Sequence, residues 1–284
     1  MFGLEFVGTG FYICLYVLVV FTGLAVGSFL NVVIYRLPEG QSLINGASHC
    51  RSCGKVIRAQ DNIPVLGWLM LRGKCYNCGE KISSRYPIVE ALNCLVYVFT
   101  FTYFNMGINP LAPDDFIYMR LIKSIIFCVF FSVLIVISFV DWDHLEIDVP
   151  LFFAIAVLCV PAAIWVDEIT IYQRILGFFA VSLPFFIIGE VVGAFIKKQT
   201  GVKIRAIELG DTILMAVTGF LIGYRCITVS AFFGIVIAAL FGIVYKKITK
   251  KSKFAFGPNL CVGIFIGSFW GDDMINWYVN LLTE

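Results

Sequence analysis

Long apolar stretches separated by short polar connections leave this chain few ways to fold. Runs of membrane-spanning length can be read near residues 11–35, 88–106, 119–140, 150–166, 174–196, 209–224, 226–245 and 255–275. The fourth and sixth are the shortest. With 60% hydrophobic and only 14% charged residues, the pattern predicts an all-α polytopic membrane protein of about eight transmembrane helices. Residues 1–10 lack a basic n-region, and the run at 11–35 is longer than a signal-peptide core, so no cleavable signal is expected.

The one sizeable soluble piece falls between the first and second spans and carries two matched cysteine knuckles. They read Cys50-Arg51-Ser52-Cys53-Gly54 and Cys75-Tyr76-Asn77-Cys78-Gly79, with 21 residues between the pairs. Four thiolates so spaced fit a tetrahedral zinc site, and a glycine after each pair allows a turn in which backbone N–H groups point back at sulfur. A soluble segment of about fifty residues rarely builds an adequate core without such a staple. The expectation is a small zinc-ribbon-like four-cysteine domain binding Zn2+ through Cys50, Cys53, Cys75 and Cys78. The other six cysteines are scattered singly through apolar runs and read as small buried hydrophobes.

Lysine and arginine give the orientation. With the N-terminus outside, the cytoplasmic loops are 36–87, 141–149, 197–208 and 246–254, and these hold 17 of the 21 basic residues. Arg120, Lys123, Arg174 and Arg225 fall toward the opposite face. That asymmetry follows the positive-inside rule. It puts the four-cysteine domain in the cytoplasm, where thiols stay reduced and disulfides are disfavoured. The island holds eight basic and three acidic residues without clustering, so no nucleic-acid partner is expected.

Two acidic clusters break the charge rule on that same side. Asp141-Trp142-Asp143-His144-Leu145-Glu146-Ile147-Asp148 follows the third span, and Glu208-Leu209-Gly210-Asp211 opens the sixth. Singly, each has a plain explanation. Asp211 could be a first-turn or capping aspartate worth about 1 kcal/mol, and Asp141 a solvated carboxylate at the end of a span. Together they suggest a carboxylate dyad, because two acids sharing a site divide into an ionised general base and a protonated partner that polarises a carbonyl. Gly210 is expected to let the backbone approach closely. The parts of competing hydrolases are missing: there is no HExxH or GxSxG, and the only histidines are His49 and His144. Glu190, seven residues before Lys197, is an intramembrane carboxylate expected to be bonded within the helix bundle.

These residues resemble the prepilin peptidase family, the type IV leader peptidases, over most of the chain. Gly27-Ser28-Phe29-Leu30-Asn31 through Arg36-Leu37-Pro38 is similar to the close of the family's first span. The cysteine pairs, Asn62-Ile63-Pro64, Trp68, Leu71-Arg72-Gly73-Lys74-Cys75 and Arg85-Tyr86-Pro87-Ile88-Val89-Glu90 resemble its cytoplasmic domain. Asp141-Trp142-Asp143-His144 resembles the first catalytic-aspartate motif. Glu208-Leu209-Gly210-Asp211 resembles the second, the GxGD motif shared with presenilin-type aspartyl proteases.

The resemblance implies a bifunctional enzyme of the bacterial cytoplasmic (inner) membrane. It would cut the short basic leader from type IV prepilins or type II secretion pseudopilins after a glycine, and then N-methylate the new N-terminus with S-adenosylmethionine. Asp141 and Asp211 inherit the catalytic roles, with Asp143 as the substitute for Asp141. The implied division is residues 1–36 as first transmembrane helix, 37–87 as cytoplasmic zinc-binding domain and 88–284 as transmembrane aspartyl peptidase core. Three departures stand out: Glu208 takes the place of the first motif glycine, Ile213 that of a common lysine, and Asp148-Val149-Pro150 that of an earlier Pro-Asp. No glycine-rich nucleotide loop marks a methyl-donor site. A non-enzymatic zinc-ribbon membrane scaffold is the alternative from another class, with a proton-relaying transporter third.

Overall fold

The computed structural model describes residues 2–44, 46–105, 117–166, 168–200, 207–250 and 254–283. Lys203, Arg205, Lys251 and Lys253, which entered the orientation count, lie outside the described residues. Among the described residues the structure is helical, with isolated bridges and no strands. The chain forms two compact units, residues 1–136 and 137–284.

In the first unit, α1 (Phe2–Arg36) packs on α3 (Arg85–Asn105). Contact is close because Gly23 and Gly27, four residues apart, face α3. A Cβ on Gly23 would meet Cys94 Cα at 2.9 Å, and one on Gly27 would meet Glu90 Cα at 2.8 Å. Small residues at this spacing are how membrane helices bring backbones together when lipid offers no hydrophobic drive. Polar side chains then bind the seam: Asn93 Nδ2 donates to Gly23 O at 2.8 Å, and Ser132 Oγ donates to Asn93 Oδ1 at 2.8 Å. Ser132 belongs to α4 (Ile117–His144), whose first part lies in this unit. Between α1 and α3 lie a 3-10 turn (Ala59–Asn62), the short α2 (Leu66–Met70) and the two knuckles.

The second unit holds the end of α4, then α5 (Val149–Trp165), α6 (Ile171–Ala180), α7 (Ser182–Thr200), α8 (Leu209–Thr249) and α9 (Gly257–Thr283). At 41 residues, a straight α8 would be about 60 Å long. It is not straight, because Gly223 has φ 82° and ψ 167°, backbone that interrupts the helix and favours glycine. Two observations show that the chain folds back there. Asp211, near the start of α8, lies within electrostatic reach of Asp141, while Phe241, thirty residues on, packs its ring 5.8 Å from that of Trp142. The adjacent residues 141 and 142 touch both ends only if residues 209–222 and 224–249 run antiparallel.

Glycines set the spacing on both arms. Gly177 of α6 and Gly219 of the first arm meet backbone to backbone, with a Cβ on either only 2.1 Å from the other's carbonyl oxygen. Gly263, Gly267 and Gly271 form a stripe on α9 against Cys226, Ser230 and Gly234 of the second arm.

Among the described residues, five helical stretches are long and apolar enough to cross a membrane: Gly10–Arg36, Arg85–Asn105, Tyr118–His144, Ile171–Gln199 and Leu209–Thr249. The difference from the eight stretches read in the sequence has three sources. Stretches 209–224 and 226–245 are the two arms of α8, stretch 150–166 forms the 17-residue α5, and stretch 255–275 lies in α9, which carries Asp272 and Asp273.

Candidate functional site

The second unit brings Asp141 and Asp211 together. Helix α4 delivers Asp141 in its last turn and stops just beyond it. Leu145 enters the left-handed region at φ 58°, where its N–H bonds to Asp141 O at 2.8 Å, a helix-ending turn more often made by glycine. Helix α8 starts at Glu208, whose carbonyl receives Thr212 N–H, so Asp211 sits in the first turn. Both aspartates are buried, at 5% and 6% exposure, whereas Asp143 and His144 are exposed. The two-residue offset thus sends Asp141 inward and Asp143 outward, as helical periodicity requires. Glu208, which stands in the place of a motif glycine, lies with its charge in reach of Asp211.

The start of α9 completes the cluster, and the sequence reading missed it. Gly257 N–H donates to Asp141 Oδ2 at 2.8 Å in a buried bond. A Cβ on Gly257 would lie 2.8 Å from that same oxygen, so only glycine offers its amide there without displacing the carboxylate. Cys261, one turn further on, is buried beside Ser138 and lies within electrostatic reach of both aspartates. The signal available in the sequence was Gly257-Pro258 opening an apolar run, a helix start with proline in its first turn.

Gly210 does not behave as expected. A Cβ there would meet Ile147 at 3.6 Å, ordinary contact, so the chain's own packing leaves room for a side chain. Glu190 is half-buried on α7.

In the first unit the four knuckle cysteines converge, with their sulfur atoms all within 4.8 Å of one another. The two knuckles repeat one hydrogen-bond pattern. Cys50 N donates to Lys55 O at 2.9 Å and Gly54 N to Cys50 O at 2.8 Å; Cys75 N donates to Glu80 O at 2.8 Å and Gly79 N to Cys75 O at 2.9 Å. Gly54 and Gly79 take φ of 69° and 72° to make these turns. The donor set fits zinc: a tetrahedron with Zn–S bonds of about 2.3 Å has edges of about 3.8 Å, and Cys50 Sγ to Cys78 Sγ is 3.8 Å. The N–H groups of Cys53 and Ser52 pull the Cys50 thiol down to about 6. Cys78 receives the Glu80 N–H, which lowers it, but desolvation and the three neighbouring sulfurs prevail and push it up to about 12. A bound cation would hold the four sulfurs together as thiolates.

The relatives of the chain accord with this two-part arrangement. A model of the bacterial peptidase A24 N-terminal domain matches residues 21–104, and the type IV leader peptidase family model matches residues 128–243. A type 4 prepilin-like proteins leader peptide-processing enzyme of Escherichia coli O78:H11 is 31% identical, covering 85% of this chain and 88% of the relative. The chain belongs to the type IV leader peptidase family. A prepilin leader peptidase/N-methyltransferase of Legionella pneumophila is 28% identical over 94% of this chain and 95% of its own length. Another, from Bacillus subtilis, is 28% identical over 91% and 96%. No solved structure matches. The family's N-terminal match encloses all four knuckle cysteines, and its peptidase match encloses both Asp141 and Asp211 but stops short of Gly257.

Proposed function

We infer that this protein cleaves the short basic leader of type IV prepilins or type II secretion pseudopilins after a glycine and N-methylates the product. The observation that carries the peptidase reading is the buried approach of Asp141 and Asp211 in a member of this family. One carboxylate takes a proton from water as the water oxygen attacks the scissile carbonyl carbon. The protonated partner hydrogen-bonds the carbonyl oxygen, and collapse of the tetrahedral species breaks the C–N bond as the amine leaves with a proton. Family membership favours this reading over the scaffold and the transporter.

The test is to incubate membranes containing the protein with a model prepilin and S-adenosylmethionine. The product expected is shorter by the basic leader and heavier by one methyl group at its new N-terminus. An uncut prepilin with well-inserted enzyme overturns the reading.

The proposed setting is the bacterial inner membrane with the N-terminus outside and the aspartates at the cytoplasmic face, supported by the basic-residue count. With α8 crossing as two arms and α5 and α9 crossing as well, the spans number eight. The proposed division remains 1–36, 37–87 and 88–284. S-adenosylmethionine supplies the methyl group when bound; support for it is the wording of the relatives' names.

Zinc, held by Cys50, Cys53, Cys75 and Cys78, would lock the two knuckles into one body. Replacing Cys50 or Cys75 by serine is expected to remove the bound zinc, measured by elemental analysis, and to lower methylation more than cleavage. Equal loss of both activities in a stably inserted protein contradicts that division.

Gly257→Ala is expected to cut cleavage by about 10–100-fold through displacement of the Asp141 carboxylate, since an ångström of misplacement in a reacting group costs that much. Thermal stability should change little. Unchanged turnover would mean that the Gly257 amide does not position Asp141.

A further inference from the structure

The soluble island has an apolar underside that its own fold leaves uncovered. Around α2, Ile63, Leu66, Leu69 and Met70 are 44%, 57%, 54% and 63% exposed. The opposite side of the same segment is tightly held. Gly67 sits against the Asp61 carbonyl with no room for a Cβ, and the Trp68 indole N–H donates to Ile82 O at 3.1 Å. Gly73 packs on the Trp68 ring and receives Ile82 N–H at 2.8 Å, which ties α2 to the second knuckle. The exposed apolar residues therefore belong to a rigid surface.

That surface is fastened at a definite depth. Val65 N–H donates to Glu90 Oε2 at 2.7 Å, with Val65 at a φ of 60° that β-branched residues rarely adopt. Glu90 is buried and lies five residues into α3, one of the helices able to cross a membrane. Five residues of helix place it about 7.5 Å below Arg85 along the helix axis. The polar layer between water and hydrocarbon is roughly 5–8 Å thick on each side of a bilayer. Residues 63–70 thus hang beside the span at the level where headgroups give way to acyl chains. Ile88, Leu92 and Leu95 of α3, at 54%, 40% and 67% exposure, present apolar side chains over the same depth of the span. Arg72 and Lys74, both exposed, follow directly and suit lipid phosphates.

We propose that residues 63–70 are an interfacial foot that enters the headgroup–acyl boundary of the bilayer and fixes the depth of the four-cysteine module. The island is thereby seated in the membrane surface rather than standing clear of it on two helices. This goes beyond the peptidase reading and does not depend on it.

The test uses the full-length protein in vesicles of phosphatidylethanolamine and phosphatidylglycerol, with an environment-sensitive fluorophore placed through a genetically encoded amino acid. It is placed at Leu69, at Met70 or, as a control on the same module, at Lys81. Spin-labelled lipid should quench the Leu69 and Met70 probes about threefold more than the Lys81 probe, and aqueous iodide should show the reverse order. Iodide quenching of all three alike would overturn the proposal in favour of a water-exposed island. Protection of Leu69 and Met70 from both quenchers would overturn it in favour of a covering protein surface. Bound zinc in each labelled protein checks that the module is folded.

Discussion

Replacing Asp141 or Asp211 singly by asparagine is expected to lower prepilin cleavage by about a thousandfold or more, at matched membrane expression. Asparagine keeps the size and much of the hydrogen bonding of each side chain but can neither take a proton from water nor give one back. Asp141→Asn can still accept the Gly257 N–H bond of 2.8 Å through its amide oxygen, so the fold around α9 should survive. The double variant should be no worse than either single one, because the two acids act as a unit. Asp143→Asn should cleave at the wild-type rate, since that side chain is exposed while Asp141 is buried. Cleavage that persists in both single variants would make the aspartates structural and return the scaffold reading to the front. Loss in Asp143→Asn alone would exchange the roles of the two neighbouring aspartates.

How much of this was legible beforehand depended on whether the signal was local. The knuckles were, because a CxxC pair and its following glycine encode one turn, and both form it with the same hydrogen bonds. The acidic clusters were visible through charge, since Asp141 and Asp211 oppose the positive-inside trend. Of Asp141 and Asp143 the resemblance favoured Asp141, but which of the two is buried was not legible, because that depends on which side of α4 turns inward. Nor was the part played by α9. Gly257 and Cys261 lie more than a hundred residues from Asp141 in sequence, and glycine and cysteine in an apolar run carry no charge or spacing signal. The reversal at Gly223 was implicit in the gap between stretches 209–224 and 226–245, yet one glycine among 25 does not announce a turn. The buried arginine near that reversal was read only as a topology marker, and its packing gives it a larger role.

Arg174→Met is expected to destabilise the second unit by about 3 kcal/mol, comparable to leaving one or two buried acceptors unpaired. Arg174 is 1% exposed and donates to four backbone carbonyls. Two of them, Ala162 O at 2.8 Å and Val166 O at 3.0 Å, end α5. The other two, Phe220 O at 3.3 Å and Leu221 O at 2.9 Å, end the first arm of α8 just before Gly223. Ala162 O also accepts Val166 N–H at 3.0 Å, whereas a carbonyl past the last turn, such as that of Val166, has no intrahelical partner, and the negative end of the helix dipole favours a cation beside both. One planar guanidinium thus caps two helices at once and offsets the cost of its own burial. It also holds the point from which the second arm returns toward Asp141. The measurable result is a thermal midpoint in detergent lower by roughly 5–10 °C, with cleavage falling at temperatures that wild type tolerates. Arg174→Lys should recover only part of the loss, because a compact ammonium with three donors cannot span carbonyls on two helices. A midpoint for Arg174→Met equal to wild type would show that the two helix ends hold together without it. Full recovery by lysine would show that the charge matters and the planar fork does not.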